Sequence, residues 1–275
     1  MNIQWMRKTS RWKVIRMSND VMAEIQRDYL FNLVLKGERA DGRAFDEFRE
    51  MSIETNVIGA AEGSALVKLG DTQVLVGIKT QPGEPFPDTP DVGVIITNAE
   101  LIPMASPEFE AGPPREGAIE IARVVDRGIR ESKSIDLKKL CITEGEKVWI
   151  IFIDIHVLNN GGNIIDAASA GSIAALLTAT LPAARYDLGE DSQIPMRDIP
   201  IAVTAIEFGG ELLLDPSLDE EQIAGTSLTV ITNTDGSISG MQKSGAEPLT
   251  VDQVIRVVDM AKTAAAEIRK KFLEV

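Results

Sequence analysis

Several things are scarce in this chain, and each scarcity removes a class of function. One cysteine, Cys141, excludes an intramolecular disulfide and suits a reducing interior, hence a cytoplasmic setting. One histidine, His156, excludes any site that needs two, and no serine has a histidine placed for a hydrolytic triad. Aromatics make up 5% of the residues. No stretch of about eighteen residues is both apolar and free of charge, so no helical membrane span is predicted. Positive charge is also short: 28 Lys and Arg stand against 42 Asp and Glu, a formal net charge of -14. A free-standing RNA-binding domain is usually basic, because phosphate contacts dominate its affinity. Independent RNA binding is therefore disfavoured, although a local basic face within an assembly is compatible with this balance.

Basic charge does gather in two places. Residues 1–16 hold Arg7, Lys8, Arg11, Lys13 and Arg16 with no acid. They lack the apolar centre of a secretory signal. They read as a basic tail or as a start placed too early, since Met17-Ser18-Asn19-Asp20 makes a natural beginning. The second place is the segment 115–132, entered through Pro113-Pro114, which predicts a helix. At about 100° per residue, Ala118, Ile121, Ala122, Val125 and Ile129 share one side. Glu116, Glu120, Arg123, Arg127 and Arg130 share the other. Arginine suits phosphate because its planar fork is always charged and bidentate. The same pattern also fits a solvated face on which Glu120 pairs with Arg123 or Arg127.

Around that helix the chain alternates strand and helix signals. A helix is expected over 20–36, capped by Ser18 or Asn19 and ended by Gly37. Arg39-Ala40-Asp41-Gly42-Arg43 follows as a turn. Residues 51–57 read as a strand, and Ala65–Leu69 and Thr72–Lys79 as a hairpin about Gly70-Asp71. The prolines between 80 and 91 predict a loop, and Val92–Thr97 another strand. Lys147–Leu158 reads as a buried central strand, which makes His156 a core residue. Asn159 to Asn163 form a tight turn into an Ala-rich helix over 165–180, whose small side chains permit close packing on a sheet. After about residue 190 the pattern restarts. Hairpins are expected about Gly209-Gly210 and Asp235-Gly236, and a last helix opens at Thr250 with Gln253 completing a capping box. Strands then helices, twice over, predict an α+β protein of two lobes, 17–190 and 191–275. Asp215, Asp219, Glu220 and Glu221 form an acidic cluster that could hold magnesium, but their place between strands favours a solvated loop.

Four stretches carry a resemblance to the RNase PH family over nearly all of the chain after residue 20. They are Arg39 to Arg43, Gly63 to Thr72, Ile119 to Arg130, and Gly161-Gly162 with the helix after it. The Pro113-Pro114 entry, Ala122 to Arg127 and Asn163 to Ala168 resemble the non-catalytic ring subunit of archaeal exosomes more than the catalytic one. The fold implied is two RNase PH-like lobes, each similar to the second domain of ribosomal protein S5. Active members read Gly-Gly-Thr-Arg where this chain has Gly161-Gly162-Asn163-Ile164, and the arginine there helps hold the attacking phosphate. They keep an aspartate where this chain has Ser227, while Glu221 lies near an earlier acidic position.

The resemblance implies no catalytic residue, metal or cofactor in this chain. Phosphate and Mg would be used by a catalytic RNase PH-like partner. Three such pairs would close into a six-membered ring with RNA-binding cap subunits above it. The resemblance also turns Arg123 and Arg127 toward single-stranded RNA and leaves Arg115 and Arg130 open. Two other readings stand beside it. One is a self-sufficient phosphate-dependent exoribonuclease using Glu221 and Asp219, against which the Asn163-Ile164 pair speaks. The other is a homo-oligomeric scaffold that binds no RNA.

Overall fold

A computed structural model of the chain describes residues 25–273. The basic segment 1–16 and the expected caps Ser18 and Asn19 lie outside them. Among the described residues, twelve strands and five α-helices build two mixed lobes. The first sheet contains β1 (Met51–Thr55), β2 (Gly63–Leu69), β3 (Thr72–Gly83), β4 (Val94–Leu101), β5 (Cys141–Thr143) and β6 (Lys147–Asn159). Its order is β1-β2-β3-β6-β4, with β5 beside β6 and β4 parallel to β6. The short pair β7 (Thr180–Leu181) and β8 (Ser192–Gln193) follows. The second sheet has the order β10-β9-β11-β12, from β9 (Ile201–Phe208), β10 (Glu211–Leu214), β11 (Thr226–Thr232) and β12 (Ile238–Gly245). The helices are α1 (25–34), α2 (Glu116–Glu131), α3 (Ile164–Thr178), α4 (Leu218–Ile223) and α5 (Val251–Ile268).

All three predicted Gly hairpins form, the one about Asp235-Gly236 closed by Thr232 and Ile238. Leu69 pairs with Thr72 across Gly70, and Phe208 with Glu211 across Gly209-Gly210. The loop expected from residue 80 begins later, because β3 runs on to Gly83 and Pro82 pairs with Trp149. The physical reason lies in the alternation of the strand. The Thr80 N–H points away from β6, to the Glu62 carboxylate, and Pro82 has the same parity. The missing donor of proline therefore falls on a side with no ladder to lose.

α3 is the centre of the molecule. It packs on β2 and β3 from one side and on β9 from the other. A helix buried all round cannot be amphipathic, which accounts for its run of Ala, Gly and Ser. A Cβ on Gly63 would lie 2.4 Å from the Ala175 carbonyl oxygen, and one on Gly171 would lie 3.0 Å from Val67 and Val76. α2 lies beside it, between β4 and β12. β9 is buried along both faces. Ala202 and Thr204 bond to Ser169 and Asp166 of α3, and α5 packs against β9 and β11. The Thr250–Gln253 capping box forms at the start of α5 as expected.

Two expectations need correction. β6 is buried on one face only, so His156 is not a core residue. It stands on the open face of the first sheet, partly exposed, with Nδ1 3.4 Å from the Glu100 carboxylate. The acidic cluster is not a solvated loop either. It includes α4, whose start Ser217 and Glu220 close with a capping box, and Asp215 and Glu220 are buried.

Candidate functional site

Amphipathicity fixes how α2 sits. Ala118, Ile121, Val125 and Ile129 are buried as their spacing predicts, and Val124 and Gly128 join them against the second lobe. Val124 packs with Ala202 and Ile231, and a Cβ on Gly128 would stand 3.0 Å from Ile231. Arg123, Arg127 and Arg130 consequently face outward.

Their surroundings separate them. Arg130 donates from Nε to Asp126 at 2.6 Å and from Nη2 to the Ile95 carbonyl on β4. Thr97 donates to the same Asp126 at 3.2 Å, so this part of α2 covers the outer edge of β4. Arg115 pairs with Glu110. Among the described residues neither Arg123 nor Arg127 has an ion pair or a side-chain hydrogen bond. The pairing with Glu120 that would have made this a self-satisfied face does not form. Glu120 instead accepts from Gln242 on β12 at 3.4 Å. Two free guanidinium groups one turn apart thus form a ridge between two grooves, one floored by β4 and one reaching Gln242.

Beyond Glu120 lies a third concavity, between the start of α3, α4 and the second sheet. Asn163, Ile165, Thr204, Glu221, Ser227 and Ser244 line it along with Glu120. Asn163 is left-handed, with φ 54°, and 1% exposed. Its amide group donates to Asp166 at 2.8 Å and to Asp215 at 2.7 Å, and its backbone N–H donates to Glu221 at 2.8 Å. A helix N-terminus attracts an anion. Here the chain supplies one itself, the Glu221 carboxylate. Glu221 is exposed along its length, but protein crowds its carboxyl and pushes its pKa up to about 7, against the opposing pull of the Asn163 N–H and Arg49. Ile164 packs against the main core and offers no donor. Gly161 and Gly162 form a packed turn: their carbonyls accept from Arg49 and Thr72.

The residues missed in the sequence are Arg39, Arg43 and Arg49. They precede the first sheet, yet they neutralise the acids of the second lobe. Asp215 accepts from Arg43 at 3.0 Å, from Arg49 at 2.7 and 2.9 Å, and from Asn163. Burial would raise its pKa, but Arg49 and Asn163 hold it below the ordinary carboxylate range. These carboxylates do not fit a metal site. The lone pairs of Asp215 and Glu220 are largely taken by guanidinium groups, and among the described residues no set of three His, Cys, Asp or Glu is grouped to bind an ion. In the sequence Arg39 and Arg43 stand out only as part of a turn and of a stretch that carries the family resemblance, and neither signal gives a pairing with the acids at 215–221.

Residues 47–182 match the first domain of the 3′ exoribonuclease family, and residues 198–264 match its second domain. The chain belongs to the RNase PH family of 3′ exoribonucleases. Its similarity to individual members covers more than nine-tenths of the chain. It is 62% identical over 256 residues to the exosome complex component Rrp42 of Methanocella arvoryzae, covering 93% of this chain and 98% of that one. To the Rrp42 component of Methanosarcina mazei it is 56% identical, covering 94% and 98%. Among solved structures it is similar to a chain of the Archaeoglobus fulgidus exosome with RNA bound to the active site, with a TM-score of 0.89 and 54% identity, covering 91% and 99%. Rice Rrp46, at 20% identity and a TM-score of 0.66, shares the fold. The two-lobed α+β RNase PH architecture expected from the sequence is the one present.

Proposed function

We propose that this chain is a non-catalytic ring subunit of an exosome that degrades RNA from the 3′ end with phosphate. It pairs with a catalytic RNase PH-like chain, three pairs close the ring, and cap subunits bind above it. The kinship with exosome Rrp42 components supports the assembly. One observation supports the division of labour. The chain has a free arginine ridge for RNA, but its own α3 terminus is closed to phosphate by Glu221, with Ile164 where a cation would be needed. Phosphorolysis requires the phosphate to be held in line and its charge stabilised. Phosphate, and Mg where it is required, then belong to the partner's site. In this reading Arg123 and Arg127 hold RNA phosphates, Arg130 keeps to the β4 edge, and Arg115 stays with Glu110.

The test measures release of nucleoside diphosphate from a 3′-labelled oligonucleotide with phosphate and magnesium. The purified chain should release none, and the chain assembled with its catalytic partner should release it. Turnover by the chain alone would overturn the assignment.

A further inference from the structure

The cavity beside Glu120 has a chemistry that its inability to hold phosphate does not exhaust. Its volume of about 290 Å³ admits a small organic group. Two carboxylates line it, Glu120 from α2 and Glu221 from α4, and no lysine or arginine does. Neither acid forms an ion pair among the described residues. Asn163, on the same lining, is 1% exposed and gives its two amide protons to Asp166 and Asp215, so its orientation is fixed. Its Oδ1 is left as a buried acceptor without a partner. An unpaired buried acceptor is costly, and native proteins rarely leave one without a reason. The Ser227 and Ser244 hydroxyls line the cavity as well, and neither has a partner among the described residues. Acceptors therefore predominate on the walls, with a carboxyl group on two sides, that of Glu221 ionised above about pH 7.

We infer that this cavity binds a cationic N–H donor, an ammonium or guanidinium group, between Glu120 and Glu221. Such a group satisfies both carboxylates through charge-assisted hydrogen bonds and brings a donor to the unpaired side of Asn163. Its source is either a free amine or a lysine or arginine side chain of a partner subunit. The first arm of the test needs no partner, so it stands apart from the ring assignment.

The full-length chain, labelled with ¹⁵N, is titrated with putrescine and separately with inorganic phosphate, at ionic strength matched with KCl. Amide shifts of Asn163, Glu221 and Ser227 are followed. Putrescine should move them saturably, and phosphate should not. Glu221→Gln keeps an acceptor for the Asn163 N–H while removing the charge, and it should weaken putrescine binding about tenfold. Glu120→Gln, on a different helix, should act in the same direction. The titration is then repeated on the chain assembled with its catalytic partner. Retained binding assigns the site to a free amine, and lost binding assigns it to a partner's cation. Phosphate shifting the same amides would overturn the inference. So would putrescine shifts that survive both substitutions, which would mark diffuse attraction to an acidic surface.

Discussion

The guanidinium of Arg39 and the carboxylate of Glu220 meet as two parallel forks. Nε lies 2.9 Å from Oε1 and Nη2 lies 2.6 Å from Oε2, across 181 residues of sequence. Both side chains are buried, and Arg39 also donates to the carbonyls of Leu214 and Asp215. A buried pair earns little net stability over an apolar replacement, but losing one member strands the other. What this pair fixes is position. It ties the segment before the first sheet to the lobe at the far end of the chain, where α1 already packs Leu30 and Val34 on Ile206, Phe208 and Leu213.

Arg39→Met should therefore destabilise the chain by about 3–5 kcal/mol, since it leaves the buried Glu220 carboxylate without its charge partner and takes a donor from the Leu214 and Asp215 carbonyls. Arg39→Met combined with Glu220→Gln should cost less than the sum of the single changes. Urea unfolding of the four proteins measures the coupling, and strict additivity would show that the pair is not a unit.

Gly162 and Gly210 both have positive φ, 91° and 89°, and they should respond differently to alanine. A Cβ on Gly162 would lie 2.4 Å from the backbone nitrogen of Leu218, whereas one on Gly210 meets nothing within 4 Å. Gly210→Ala should cost about 1 kcal/mol from backbone strain alone. Gly162→Ala adds a backbone clash and should cost about 2–4 kcal/mol. Equal costs in denaturant titrations would contradict the close approach of α4 to this turn.

Asp166 gives the stability a pH dependence. It is 1% exposed, and burial pushes its pKa up to about 7, against hydrogen bonds from Thr204 and Asn163. The folded chain therefore holds a proton that the unfolded chain has released between the ordinary carboxylate range and pH 7. Stability contributed by this group is present at the acid end of that window and falls as pH rises through it. Asp166→Asn can still accept from the Thr204 and Asn163 N–H groups, and its amide can donate to the Thr204 hydroxyl. The variant should fold and show a shallower decline between about pH 5 and pH 7, by about one proton. Unchanged slopes in thermal melts across that range would mean that Asp166 is ionised when folded.

Arg123→Ala with Arg127→Ala should leave folding and assembly intact, because neither side chain is buried or paired. A charge-assisted hydrogen bond is worth about 1.5–3 kcal/mol, and exposure to salt lowers that. Loss of RNA affinity by the assembled ring should be about tenfold. The salt dependence of binding should also flatten, as fewer counterions are released. Titrations at two salt concentrations read both effects. An intact ring with unchanged affinity and slope would make these arginines a merely solvated face.

Local signals settled much of this architecture in advance. The Gly70-Asp71 and Gly209-Gly210 hairpins, the Thr250 capping box and the buried stripe of α2 depend on neighbours within a few residues, where periodicity and turn chemistry act. The arginine ridge was legible for the same reason, since Arg123 and Arg127 stand four apart on one helix. Their freedom from partners was not legible, because it depends on Glu120 being drawn toward Gln242 of β12, 122 residues away.

By itself the sequence determined element types, the two-lobed plan and which helix face carries charge, all of which follow from local propensity and the alternation of apolar and polar residues. Tertiary structure alone decided the fate of the charges. Asp215 and Glu220 read as a solvated acidic run until Arg39, Arg43 and Arg49 are brought beside them. His156 read as core until the first sheet proved to be covered on one face only. The cost of burying a charge is set by what lies within a few ångströms in space. Chain order does not encode that distance when the partners are more than 160 residues apart.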